Sequence, residues 1–387
     1  MKITYITQTR FPIQKAHGKQ IAEVCTALAA LGHEVTLLCP SVHNIIEGDP
    51  FSYYDIPKMF RVHYVEHSDA TLQWWIPGFL HFAVNMWLYR HALRKFFQSH
   101  RGDLLYCRSW EVLNPMLETG EPVILELHTL PRWRKEKFVQ QCNRCQKVVC
   151  LTSPMQDEIV RWGVHTERVV VEGDGVDLQR FSDAALMRKT EWKLPTHVPI
   201  VGYVGSLVTQ NKLEKGVGEL VQALGILKRR GTHVFGWIVG GIDRDDYYGK
   251  KAESFGLIKG TDFAFEAQVP SQWVPSVLSL CDICVYPAPC SNHPYFLRDT
   301  SPLKLFEYLA ASKPIVCADL PPIRDVVDET MVTFCQPGDP RSIADAIEYV
   351  LRNPVEAQRK AQKGKEHVKE FDWKKRMGRI LSQCTSS

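Results

Sequence analysis

The sequence predicts an α/β protein of two Rossmann-like, doubly wound domains. Three observations point there. Short apolar runs of strand length alternate with helical segments along the chain, and that alternation implies a parallel sheet covered on both faces. At residues 178–199, "LQRFSDAALMRKTEWKLPTHVP", the pattern breaks in a polar stretch and then restarts. A length of 387 residues also exceeds one ordinary core. The expected domains are residues 1–182 and 183–365, with a C-terminal helix, 366–387, packing back towards the first. Placed side by side they face a central cleft, and ligands of open α/β sheets bind beyond the carboxyl ends of the strands.

The elements follow in order. "KITYITQ" is a first buried strand, too short an apolar run for a signal peptide. "GKQIAEVCTALAALG" is a helix closed by Gly32, and "HEVTLLCP" the next strand. "DLLYCR", "PVILELH" and "KVVCLTS" are short apolar runs that end in polar residues. "PMQDEIVRWG" is a helix, and "RVVVEGDGVD" a strand with a glycine-rich turn. After the break, "IVGYVGSL", "VFGWIVGG", "DFAFEAQVP", "ICVYP" and "PIVCADL" supply strands. "GVGELVQALGILKRRG", "QWVPSVLSLCD" and "SIADAIEYVLRN" supply helices between or after them.

Composition narrows the function. Hydrophobic content of 45% and charge of 23% are those of a globular protein. A net charge of +4 over this length argues against a nucleic-acid binder and leaves anionic substrates or lipid surfaces open. No segment has the roughly eighteen uninterrupted apolar residues of a membrane span. Residues 74–95, opening "WWIPGFLHFAVNMWLY" and continuing through Arg90, Arg94 and Lys95, read either as a core helix with a loop or as an interfacial face touching a membrane or acceptor. Twelve cysteines without a signal peptide suggest a reducing, cytoplasmic setting, with peripheral attachment at the inner membrane face. Cys142/Cys145 and Cys281/Cys284 form two CxxC pairs, but they are far apart and the second opens a strand, so neither is read as a zinc site.

Four stretches at strand ends carry candidate chemistry. In "TRFPIQKAHGKQ", Gly18 permits close backbone approach and Lys19 lies in the first helical turn. His128 ends a strand, where side chains face the ligand crevice, and reads either as a structural histidine or as a substrate contact. "VGSLVTQNKLEKGVGEL" places Lys212 and Lys215 in a loop before a helix, where a lysine neutralises a phosphate or is simply solvated. "DTSPLKLFEYLAASKPIV" gives a helix with Ser301 as N-cap and Pro302 at its first position, running to about Ser312 before Pro314. Leu303, Leu305, Phe306, Leu309 and Ala310 share one arc, leaving Lys304 and Glu307 off it. That pair is either a surface ion pair or part of an anion site in which helix amides meet a phosphate and Glu307 lies about 7 Å further along the axis. Asp243-x-Asp245 is read as a solvated loop and not as metal ligands.

The chain resembles retaining glycosyltransferases of family 4, with the two-domain GT-B fold, over nearly its whole length. The carriers are "GKQIAEVCTALAALGHEVTLL", "VVCLTSPMQDEIVRWG" with "EGDGVDLQRF", "VGYVGSL" with "KGVGELVQAL", "DICVYP", and, most specifically, "SPLKLFEYLAASKPIVCADLPPIRDVV". The family's Glu-x(7)-Glu matches Asp299 and Glu307, the first acid shortened by one methylene. The resemblance implies that Glu307 binds the nucleotide ribose and Asp299 contacts the donor sugar. It places Lys215 on the donor phosphates, Ser206 where an arginine often stands, and the amides of Ser301, Leu303 and Lys304, with Pro302, around the diphosphate. His128 matches a histidine near the sugar, and Gly18 a small residue facing the phosphates. It further implies transfer of a sugar from a nucleotide-diphosphate donor, UDP- before GDP-, to a glycan, lipid-linked or small-molecule hydroxyl. The configuration would be retained, no metal or other cofactor would be needed, and the donor phosphate itself would help take the acceptor proton. The competing expectations are a nucleotide-sugar epimerase or hydrolase on the same fold, and a catalytically silent sugar-nucleotide-binding subunit.

Overall fold

The computed structural model describes residues 1–72, 77–185, 187–209, 213–241 and 245–385. Lys212, Asp243 and residues 74–76, on which some expectations rest, lie outside them. The chain divides into two compact units, Met1–Gly173 with Trp373–Ser387, and Asp174–Asp372.

The first unit holds β1 (Lys2–Ile6), β2 (Glu34–Ser41), β3 (Arg61–Glu66), β4 (Leu104–Cys107), β5 (Val123–Leu127), β6 (Lys147–Cys150) and β7 (Val169–Val171). They form one parallel sheet in the order β3-β2-β1-β4-β5-β6-β7. β4 and β5 are buried along their whole length, as a sheet covered on both faces requires. The strand order reverses between β1 and β4, the place where doubly wound sheets open a ligand crevice. Tyr5 pairs with Tyr106 and Tyr106 with Ile124, so these three share a face. One pleat further on, Arg108 and Glu126 lie on that same face, under the Ala16–Ala30 and Trp373–Thr385 helices, which pack on each other.

The second unit holds β8 (Ile200–Val204), β9 (Val208–Thr209), β10 (Leu213–Glu214), β11 (Phe235–Val239), β12 (Phe263–Glu266), β13 (Ile283–Tyr286), β14 (Ile315–Ala318) and β15 (Thr333–Cys335). Six of them make a second parallel sheet, β12-β11-β8-β13-β14-β15, with the same reversal, now between β8 and β13. β9 and β10 form a separate antiparallel hairpin in a stretch expected to be loop.

The unit boundaries fall at 173/174 and 372/373, not at the expected 182/183 and 365/366. The polar stretch after 178 is no linker, because Leu178, Phe181, Met187, Trp192 and Val198 pack on the second unit's core. Polarity marked its outer face and hid these anchors. In the first unit the His81–Ser99 helix buries Met86, Tyr89, Leu93 and Phe97 and leaves Phe82 and Trp87 61% and 63% exposed. No helix among the described residues is long and apolar enough to cross a membrane. Cys142 and Cys145 are buried in the first unit, and Cys281 and Cys284 in the second.

Candidate active site

In the second unit the candidate residues gather beyond β8. The strand is apolar to Val204 and then turns through Gly205 at φ 146°, a conformation that suits glycine. Tyr308, on the Leu303–Ala310 helix, fixes that helix to the strand end. Its hydroxyl accepts from the Val204 amide at 2.8 Å and donates to the Val204 carbonyl at 3.1 Å. Lys304, in the same helix's first turn, is thereby carried under Gly205 and sits against the rings of Tyr203 and Tyr286, 4.1 and 5.2 Å from their centroids. Its Nζ donates to the Tyr203 hydroxyl at 2.6 Å, and that hydroxyl donates to the Ser206 carbonyl at 2.7 Å.

The β9–β10 hairpin returns the chain to the same spot. The Lys215 amide donates to the Leu207 carbonyl at 3.1 Å, and Lys215 Nζ donates to Ser206 Oγ at 3.0 Å. Ser206, Lys215 and Lys304 are thus brought together at the point where the sheet order reverses, with Glu307 one helical turn beyond Leu303. Burial pushes the Lys304 amine well below the usual lysine range, and the like charge of Lys215 pushes it further, while Glu307 pulls the other way.

Three local expectations are corrected. Lys304 is buried, not on a surface face, because the first turn inserts between the tyrosines of β8 and β13. The helix begins one residue later than expected, with extended Pro302 (φ −84°, ψ 110°) as its cap, and Ser301 Oγ instead accepts from the Asp174 amide at 2.8 Å. No side chain caps the first turn. The helix ends at Ala310, and Ser312 takes a left-handed conformation at φ 54°. Asp299 is buried and forms a two-point ion pair with its neighbour Arg298, at 2.6 and 3.1 Å.

In the first unit His128 follows β5 and joins a buried polar network that sequence reasoning missed. Glu126, fully enclosed, accepts from His128 Nε2 at 2.8 Å and from Gln20 Nε2 at 3.0 Å through one oxygen. Its other oxygen accepts from the Tyr106 hydroxyl and, at 3.0 Å, from Arg376 Nη2. Burial pushes the Glu126 carboxyl up, but Arg376, His128 and Tyr106 together hold it below the ordinary carboxylate range. Burial, followed by the charge of Arg108, pushes the His128 imidazole down to about 4, against the pull of Glu126. An ionised carboxylate only accepts, so Nε2 carries the imidazole proton and Nδ1 is the basic nitrogen. The missed signal was Glu126 itself, a carboxylate within the apolar run "VILEL", because buried acids need partners. Gly18 is explained by packing: a Cβ there would lie 2.1 Å from the Tyr54 hydroxyl and 2.6 Å from Ile13 Cγ2.

Two family descriptions cover most of the chain. Residues 18–180 match "Glycosyltransferase Family 4", and residues 188–367 match "Glycosyl transferases group 1". The chain belongs to glycosyltransferase family 4. A glycogen synthase of Mycobacterium tuberculosis is 24% identical to this family 4 enzyme, over 92% of this chain and 87% of that one. A phosphatidyl-myo-inositol mannosyltransferase of Mycobacterium leprae is 39% identical over 18% of this chain and 19% of its own. Among solved structures, a glycosyltransferase from Rickettsia africae superposes with a TM-score of 0.75 at 15% identity, covering 99% of this chain and 97% of that one. HepE of Anabaena, in complex with UDP and glucose, gives 0.70 at 18% identity with both chains fully covered. These likenesses establish the GT-B fold of this glycosyltransferase, two parallel-sheet α/β domains.

Proposed function

We propose that this glycosyltransferase transfers a hexosyl group from a nucleotide-diphosphate sugar, UDP- before GDP-, to an acceptor hydroxyl with retention and without a metal. The carrying observation is the meeting of Lys215 and Lys304 around Ser206 at the uncapped start of the helix that bears Glu307. Two cationic side chains and first-turn amides suit a diphosphate, and a carboxylate one turn on suits the two ribose hydroxyls. The Anabaena relative of known structure binds UDP and UDP-glucose, which supports the donor class.

In the proposed reaction the anomeric C–O bond to the diphosphate breaks and a C–O bond to the acceptor forms on the same face. The acceptor proton passes to the departing phosphate oxygen. Lys215, Lys304 and the helix amides stabilise the charge that develops there. In the second unit Asp299, held by Arg298, is the proposed contact to the donor sugar, and His128 of the first unit, with its basic Nδ1, is a further candidate for a sugar contact. Phe82 and Trp87, exposed beside basic residues, support a peripheral contact with anionic lipid, seen as salt-sensitive liposome binding. The test of the reaction is turnover of UDP- and GDP-sugars with an added acceptor, before and after EDTA, with the product anomer read by NMR. Acceptor-dependent product of unchanged configuration that survives EDTA is expected. Loss with EDTA restored by Mg²⁺, an inverted product, or conversion of the donor without acceptor contradicts the reading.

A further inference from the structure

At the reversal point of the first sheet the charges do not balance. Glu126 has both oxygens occupied, by His128 and Gln20 on one side and by Tyr106 and Arg376 on the other. Arg108 leaves β4 in the same pleat row as Glu126, yet its guanidinium forms no ion pair among the described residues, and its enclosed Nε has no hydrogen-bond partner. Glu111, three residues on, is engaged with Arg90 and Gln8 instead. The Tyr5 hydroxyl, wholly buried one pleat below and stacked on Tyr106, is also unpartnered, as is Nε2 of His17 in the first turn of the Ala16–Ala30 helix. Arg108 acts on both His17 and His128 as a like charge, so all of these groups share one neighbourhood. Buried polar groups left without partners are rare and costly, and here they belong to a cation and its neighbours at a sheet edge where ligands bind.

We propose that this edge binds the phosphate or carboxylate of an anionic acceptor, with Arg108 as its counter-charge and Tyr5 and His17 completing the seat. The proposal rests on the glycosyltransferase reading above, which assigns the donor diphosphate to Lys215 and Lys304 of the second unit and leaves Arg108 for another anion.

The test titrates inorganic phosphate into the full chain by calorimetry, with and without saturating UDP, for wild type, Arg108→Gln and Arg108→Lys. Phosphate is expected to bind the UDP-saturated wild type. Arg108→Gln should weaken phosphate by about 10-fold to 100-fold, the scale of a lost charged hydrogen bond. Its affinity for UDP should be unchanged, which also shows that it is folded, and Arg108→Lys should be intermediate. Phosphate binding that is absent, or equal in wild type and Arg108→Gln, overturns the proposal. So does phosphate displaced by UDP together with weaker UDP binding in Arg108→Gln, because the anion is then the donor's own diphosphate. Absence of UDP binding to wild type defeats the donor reading, while the phosphate titrations without UDP still decide the role of Arg108.

Discussion

Lys304 occupies a place that its sequence does not announce. A lysine beside leucines in an amphipathic helix is ordinarily a solvated residue, yet this one lies beneath Gly205 against two tyrosine rings. Burial lowers its pKa, so an unfolded chain holds that proton more tightly than the folded one, and the free protein is destabilised by it as pH falls. A diphosphate arriving beside it reverses the balance. Lys304→Met should therefore raise the melting temperature of the free protein and weaken its binding of UDP. Wild-type affinity of Lys304→Met for UDP would remove Lys304 from the phosphate seat. Lys215 donates to Ser206 Oγ from a more open position, whereas Lys304 is linked to that turn through the Tyr203 hydroxyl. Lys215→Ala should lower kcat by about 10²-fold, the scale of one lost electrostatic stabiliser; near-normal turnover would show that another group bears the charge.

Among elements, the Trp373–Thr385 helix carries a role that local sequence conceals. Arg376 is fully buried and reaches Glu126 from almost the far end of the chain, while also donating to the Gly173 carbonyl at 2.5 Å and the Glu172 carbonyl at 3.2 Å. Arg376→Met should cost about 3–5 kcal/mol in denaturant titration, because one member of a buried pair is left alone. It should also move the acid limb of the pH–rate profile upward, since Glu126 loses the charge that holds its pKa down; Arg376→Lys should recover part of both. Stability within about 0.5 kcal/mol of wild type would mean that Glu126 is satisfied without it. The short β9–β10 hairpin was illegible for a different reason. Its two-residue strands show no periodicity, and only their pairing reveals that a longer loop still returns Lys215 to Ser206.

At the scale of the whole molecule, alternation and the restart after residue 199 were enough to read two doubly wound sheets. Strand ends pointed to the stretches that bear His128 and Lys215 as candidates, and the structure sets Lys215 beside Ser206. What the sequence hid was long-range. The Glu126–Arg376 pair, the inserted Lys304 and the true unit boundaries depend on which distant segment covers which face. The central claim is that the Leu303–Ala310 helix seats a nucleoside diphosphate with Glu307 on its ribose. Two hydrogen bonds to a carboxylate, at about 1.5–3 kcal/mol each, correspond to roughly 10²-fold to 10⁴-fold in affinity. The direct measurement is calorimetric titration of UDP and of 2′,3′-dideoxy-UDP into wild type, Glu307→Gln and Glu307→Ala. The predicted result is tight UDP binding by wild type, weaker binding of the dideoxy analogue, intermediate UDP affinity for Glu307→Gln, and loss by that factor in a folded Glu307→Ala. Equal affinity of wild type for both nucleotides, or wild-type affinity of Glu307→Ala for UDP, would contradict it.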